Sequence, residues 1–189
     1  MRLEPPFSLV AALVVTVAAC GDNTNLAPAS VPNVVDTITL GSLNGSPVPL
    51  PSAYSVADGD PVRTDLTAAF DFAYDVDPAG RHVFLTLEVL RLSNTSGSGP
   101  GLQFSPVPFD QIQVAPTNGW ITNDTIVVDS GTVLTLRSRI VCTGLGVPLY
   151  GKLEVLAIDD TPGNETITFQ ALSNENCGYK SLQVGLPRD

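Results

Sequence analysis

From residue 34 onwards the apolar residues recur at every second position, and no window of a dozen residues has the 3.6-residue spacing of an amphipathic helix. The clearest case is the stretch 66–76, where apolar side chains share one face and polar side chains, Asp71 among them, share the other. The sequence Asp-Pro-Ala-Gly at 77–80 suits a tight turn, and the apolar stretch 83–92 follows it. Together these features predict a β-hairpin.

Further strands are predicted along the rest of the chain. Eight more segments carry the pattern of strands bounded by turn-forming residues: 37–40, 53–56, 111–115, 125–128, 133–141, 149–158, 166–171 and 179–184. Eight to ten strands at roughly even spacing predict an all-β fold, a single antiparallel β-sandwich of the immunoglobulin-like or jelly-roll-like kind, with a β-barrel as the alternative. One domain, 34–189, is long enough to bury most of its unfolded surface. The Ser- and Gly-rich stretch 94–101 is predicted to be a flexible loop.

The first twenty residues have the pattern of a secretory signal. A charged start is followed by an uninterrupted apolar run at 9–17 and then by two alanines and Cys20. The apolar run is about half as long as a membrane-spanning helix, so a spanning segment is disfavoured.

The four residues Val17-Ala18-Ala19-Cys20 resemble the lipobox of bacterial lipoproteins. That resemblance implies a signal peptide over 1–19, cleavage before Cys20, a lipid on its thiol and an acyl chain on the freed amine. Gly21, in place of Asp, is similar to the residue in lipoproteins released to an outer membrane, where the cell has one. The stretch 20–33 then comprises the lipidated cysteine and a flexible tether. The alternative is an ordinary signal peptide cut nearby, with Cys20 left as an unpaired thiol.

Composition narrows the possible partners and cofactors. The chain has 9 Lys and Arg against 19 Asp and Glu, a formal net charge of −10, which argues against a nucleic-acid partner. A single histidine, His82, rules out a metal site built from several imidazoles, and no cofactor is predicted. If Cys20 carries lipid, Cys142 and Cys177 form an even pair, and outside the cytoplasm two such thiols are expected to form a disulfide. A redox or metal-binding pair is the alternative, but the chain has no Cys-x-x-Cys spacing.

Acidic motifs are the candidate catalytic and metal-binding features. The stretch 126–132 (Ile-Val-Val-Asp-Ser-Gly-Thr) resembles the signature of aspartic proteases, which implies a catalytic role for Asp129. That chemistry needs two such aspartates and the chain has one motif, so a dimer would have to supply the second, and the alternative is a simple hairpin turn. Asp75 and Asp77 are weak candidates for a calcium site. Two carboxylates across a cleft would also suit a glycosidase.

Trp120 is the aromatic candidate for binding, since it lies in the loop-like sequence Thr-Asn-Gly-Trp and could stack on a sugar or anchor a partner. Packing over the edge of the core is the alternative. The sequence as a whole predicts a protein anchored by lipid to a membrane of the cell envelope, acting as a non-catalytic binding or structural module for a glycan or protein ligand. A hydrolase using paired acids, with Asp129 the first residue to test, and a carbohydrate-binding module using Trp120 are the two alternatives.

Overall fold

The computed structural model describes residues 26–93 and 98–188. Ten strands and one 3-10 turn form the regular structure of these residues: β1 Val35–Gly41, β2 Ala53–Ser55, β3 Asp60–Val62, β4 Phe72–Val76, β5 His82–Thr86, β6 Gly101–Phe104, the 3-10 turn Phe109–Gln111, β7 Ile126–Val127, β8 Val133–Cys142, β9 Val147–Asp159 and β10 Thr166–Asn174. Within these described ranges, no helix is long and apolar enough to cross a lipid bilayer.

The strands form two antiparallel five-stranded sheets. Sheet 1 has the order β1-β10-β9-β8-β6, and sheet 2 has the order β3-β2-β4-β5-β7. Neither sheet closes on itself, so the prediction of an antiparallel β-sandwich is confirmed and the barrel alternative is wrong.

The core lies between the two sheets and is centred on aromatic rings. Tyr54 on β2, Phe72 on β4 and Phe84 on β5 come from sheet 2, and Phe169 on β10 comes from sheet 1. Phe169 lies 5.6 Å from Tyr54 and 6.0 Å from Phe84 between ring centroids, edge to face in both pairs. Aromatic pairs in this geometry add about 0.5–1.5 kcal/mol each beyond the burial of their area. Apolar side chains at alternate positions of β8, β9 and β10 complete the core.

Asp71 departs most clearly from the predicted pattern. The expected strand 66–76 is regular only as β4, and Asp71, expected on its polar face, is buried with 1% of its side chain exposed. Its carboxylate accepts the backbone N–H groups of Val56 and Arg139, both at 2.7 Å, and lies 3.2 Å from Nη1 of Arg139. Val56 follows β2 in sheet 2 and Arg139 belongs to β8 in sheet 1, so this carboxylate joins the two layers.

Other predicted strands are shorter than expected or lack regular pairing. The stretch 83–92 is a strand only as far as Thr86, because 87–92 turns away through Arg91, whose φ is +58°. The stretches 111–115 and 179–184 contribute a single bridge between Val114 and Ser181. Two strands were not predicted, β3 and β6, and both are short edge strands.

Cys142 and Cys177 form a disulfide with their Cα atoms 5.7 Å apart, which confirms the predicted pairing. The bond joins the end of β8 to the loop after β10 and closes a loop with a sequence separation of 35. In the chain-entropy model a loop of this size stabilises the fold by about 3–4 kcal/mol.

The predicted signal peptide and Cys20 lie outside the described residues. Of the predicted tether, residues 26–33 are described, and they hydrogen-bond to the C-terminal part of the domain. Asn176 Oδ1 accepts the N–H groups of Ser30 and Val31 at 2.8 and 3.0 Å. Asn33 is buried and pairs with Gly185. The attached part of the chain therefore begins before residue 34, since Leu26 already contacts Gly178.

We expect Asp71→Ala to lower the free energy of unfolding by about 3–5 kcal/mol, because it leaves Arg139 and two N–H groups without their buried anion. Urea denaturation measures this change. Asp129→Ala is the matched control, since Asp129 lies exposed in a turn, and it should change stability by less than about 0.5 kcal/mol. Equal effects of the two substitutions would contradict the interlayer role of Asp71.

Candidate functional site

Asp129 lies in an exposed turn between β7 and β8. Its N–H donates to Thr132 Oγ1 at 2.9 Å, and its carbonyl accepts the N–H of Thr132 at 3.0 Å. Gly131, at φ +85°, supplies the left-handed conformation that the turn requires. The turn leads from β7 in sheet 2 to β8 in sheet 1, so it connects the two layers and is not the hairpin turn considered as the alternative. Asp, Ser and Gly are the residues expected in such a tight turn on local grounds.

The two candidate calcium ligands are bonded to protein donors. Asp75 is buried and accepts the backbone and side-chain N–H groups of Asn44 at 3.1 and 2.7 Å. Asp77 accepts the N–H groups of Ala79 and Arg81 and forms an ion pair with the Arg81 guanidinium at 2.6 Å. The N–H and guanidinium donors of Arg81 lower the pKa of Asp77. In the part of the chain that the structure describes, no group of three or more His, Cys, Asp or Glu side chains is placed to hold a metal ion.

His82 lies in a hydrogen-bonded row between the sheets. Its Nδ1 is 2.8 Å from the Tyr74 hydroxyl, and its Nε2 is 2.8 Å from Asp160 Oδ1. Burial raises the pKa of Tyr74, and the negative charge of Asp160 adds to that effect. A fully buried tyrosine with a raised pKa keeps its proton and is a poor nucleophile, so this row has a structural role. It connects β4 and β5 in sheet 2 to Asp160, which directly follows β9 of sheet 1.

Trp120 lies on the outer face of sheet 1. Its ring stacks on Tyr150 with centroids 6.0 Å apart and planes 29° apart, and the Arg137 guanidinium is 5.4 Å from its centroid. Lys180 Nζ lies 5.6 Å from the Tyr150 ring. Trp120 and Tyr150 are half-buried, and we call these four residues the aromatic stack.

The aromatic stack is held by bonds from the strands beneath it. Arg137 and Tyr150 face each other across β8 and β9, and Arg137 donates to the carbonyl of Gly99 from Nε at 3.0 Å and from Nη2 at 2.6 Å. Burial lowers the pKa of Arg137 and raises that of Tyr150. Lys180 Nζ also donates to Thr117 Oγ1 at 3.2 Å. The stack is therefore a preformed surface in which Trp120 presents a half-buried ring.

Lys152 lies next to the aromatic stack on β9, and only 3% of the residue is exposed. Its Nζ donates to the carbonyls of Phe109 and Ile112, both at 2.9 Å, and lies 4.5 Å from the Phe109 ring centroid. These contacts attach the 3-10 turn to the outer face of sheet 1, beside a cleft of about 720 Å³ that Glu154 and Gln170 also line. Burial lowers the pKa of Lys152, and Asp110 opposes that effect.

The chain matches no family model, no curated protein and no solved structure.

Sequence reasoning named Trp120 but missed the cations around it. The partners of Trp120 are 30 residues away at Tyr150 and 17 residues away at Arg137, and nothing local to any of the three predicts their contact. The buried position of Lys152 was also missed, because period-two patterning places it on the polar face of β9 without indicating that the 3-10 turn covers that face.

Lys152 should give the protein a measurable pH dependence. In the unfolded chain it holds its proton up to its ordinary pKa of 10.5, whereas the folded protein releases it at a lower pH. Between the two pKa values the unfolded state binds more protons, so stability due to Lys152 increases as pH rises. We expect the unfolding free energy of the wild type to rise relative to Lys152→Met as the pH increases towards 10.5, the ordinary pKa of lysine, in urea denaturation.

Gln170→Met is the matched control for this measurement, since Gln170 is a neutral neighbour in the same cleft. The difference in unfolding free energy between Gln170→Met and the wild type should not change over the same pH range. A constant difference between wild type and Lys152→Met would contradict the predicted linkage.

Proposed function

We propose that this chain is a lipid-anchored protein of the cell envelope whose β-sandwich binds a ligand and carries out no reaction. The observation that carries the proposal is the Cys142–Cys177 disulfide. It accounts for two of the three cysteines and leaves Cys20, which directly follows two alanines and an apolar run. A structural disulfide is typical of oxidising compartments outside the cytoplasm, where a lipoprotein is delivered.

The placement of the acidic residues supports binding over catalysis. Asp71 and Asp75 are buried as acceptors for backbone N–H groups, and Asp77 closes a turn with Arg81. Asp129 occupies an exposed turn. Carboxylates bonded in this way stabilise loops and layers, so the hydrolase using paired acids has less support than the binding module.

The anchor is tested by the intact mass of the protein purified from membranes of its own host. We expect a chain that begins at Cys20 and carries a diacylglyceryl group on sulfur and an acyl chain on the amine. Cys20→Ser should abolish both additions, whereas the double variant Cys142→Ser, Cys177→Ser should keep them. A free Cys20 thiol in the wild-type protein would overturn the anchor.

A carbohydrate ligand at the aromatic stack is the second candidate function. The observation that favours it is the half-buried Trp120 ring, held over Tyr150 and flanked by the donors Arg137 and Lys180. Ligand sites commonly combine aromatic surface with a few fixed polar groups. Rigid support of this kind lowers the entropic cost of ligand binding.

This second candidate predicts retention of the protein on at least one insoluble polysaccharide among chitin, cellulose and peptidoglycan. Trp120→Ala should weaken that retention by about thirtyfold or more, the loss typical of a binding hot spot, and Trp120→Phe should weaken it less. Phe104→Ala is the matched control, since Phe104 is an exposed ring on β6 outside the stack. Equal retention of Trp120→Ala and wild type would contradict the assignment.

A further inference from the structure

A cleft of mixed apolar and polar lining lies where the N-terminal segment meets the C-terminal residues, and we call it the end cleft. It has a volume of about 870 Å³. Its apolar side chains are Leu26, Val114, Val184 and Leu186, and its polar ones are Gln113, Lys180, Ser181, Gln183 and Arg188. Val184 is 71% exposed, Val114 62% and Leu186 57%. Single exposed apolar residues are ordinary, but several lining one cleft mark an interaction surface.

The charge of the end cleft is opposite to that of the whole chain. Acidic residues outnumber basic ones 19 to 9 in the sequence, yet the described lining of this cleft contains Lys180 and Arg188 and no Asp or Glu. Apolar side chains with cations beside them suit an acidic lipid surface, in which acyl chains lie beneath phosphate groups.

The N-terminal segment is firmly attached beside this cleft. Tyr179 donates its hydroxyl to the carbonyl of Ala27 at 3.1 Å and accepts the N–H of Ala29 at 3.2 Å. Leu26 packs so closely on Gly178 that a Cβ there would clash with it. Because Gly178 also has φ +89°, both the space and the backbone favour glycine at this position. Residues 26–29 are therefore held against the domain beside the end cleft.

The length of chain beyond Leu26 limits how far the domain can lie from its anchor. Six peptide units separate Cys20 from Leu26, and a fully extended chain of that length spans at most about 20 Å. A lipid on Cys20 therefore keeps Leu26, and with it the end cleft, within about 20 Å of the bilayer surface.

We propose that the end cleft rests on an acidic lipid bilayer, with Val114, Val184 and Leu186 at the boundary of headgroups and acyl chains and with Lys180 and Arg188 facing lipid phosphates. This inference depends on the proposed lipid anchor at Cys20. It orients the sandwich, because the loop after β1 then points away from the membrane.

The test compares two valines of nearly equal exposure at opposite ends of β1. Val184 shares a cleft with Val35 at the start of β1, whereas Val48, 68% exposed, lies in the loop beyond Gly41 at its end, about 20 Å away. Full-length lipidated Val184→Cys and Val48→Cys proteins are labelled with a bimane fluorophore. They are then reconstituted in phosphatidylglycerol–phosphatidylcholine vesicles that carry nitroxide on the lipid acyl chains.

We expect strong quenching of the label at 184 and little at 48. In neutral phosphatidylcholine vesicles the quenching at 184 should weaken, and Arg188→Gln should lower the ratio of docked to undocked protein about fivefold on acidic vesicles. Equal quenching at 184 and 48, whether strong or weak, overturns the proposal. A disulfide between two copies of the unlabelled Val184→Cys protein, together with an unquenched label at 184, also overturns it, since the cleft is then a contact between copies.

Failure of the anchor and failure of the surface are separable in this design. The mass of the labelled protein reports whether Cys20 is blocked by lipid or carries a second bimane. If Cys20 is free, the proposed anchor is wrong. Added vesicles then test the surface alone, with Cys20→Ser introduced in both labelled variants. Quenching at 184 above that at 48 in this form supports the surface, and its absence overturns it.

Discussion

The buried carboxylate of Asp71 fixes the position of one sheet relative to the other. Burial of apolar area between two sheets is non-directional, so many relative positions would bury similar amounts of it. Hydrogen bonds are directional, and Asp71 accepts one N–H from Val56 in sheet 2 and one from Arg139 in sheet 1. Sliding of the sheets would break at least one bond to a buried charge, which costs more than a small change in apolar contact.

At the same end of the sandwich, a series of contacts connects Asp71 to the N-terminal segment on the surface of the molecule. Arg139 lies three residues before Cys142, and the disulfide connects that strand end to the loop that holds Asn176. The side chain of Asn176 in turn bonds to the backbone of Ser30 and Val31. Its Oδ1 accepts both of their N–H groups, and its Nδ2 donates to the carbonyl of Val31. The N-terminal segment is thus attached to the framework through a continuous series of bonds, and its direction is set by the packing of the two layers.

The fold class and the disulfide could be predicted from the sequence, because alternation and cysteine count are properties of residue types alone. The role of Asp71 could not, since the alternating pattern assigns it to a polar face and its partner Arg139 is 68 residues away. Trp120 was predicted to lie in a loop, but its stacking depends on Tyr150 in a strand 30 residues later. Local patterns specify which face a side chain takes, and long-range contacts decide whether that face meets solvent or another segment.

A chain with a net charge of −10 should be repelled by an acidic membrane. Salt screens this repulsion over short distances, however, so the charges nearest the membrane decide whether the end cleft is attracted to it. At physiological ionic strength the screening length is about 8 Å, so charges at the far end of a 20 Å strand contribute little at the lipid surface. Five basic residues also contact partners elsewhere in the protein: Arg63 with Asp65, Arg81 with Asp77, Arg139 with Asp71, Arg137 with the Gly99 carbonyl, and Lys152 with two carbonyls. The charged residues of the described end-cleft lining are Lys180, which also donates to Thr117, and Arg188. The acidic remainder of the surface, being repelled by acidic lipid, would favour the same orientation.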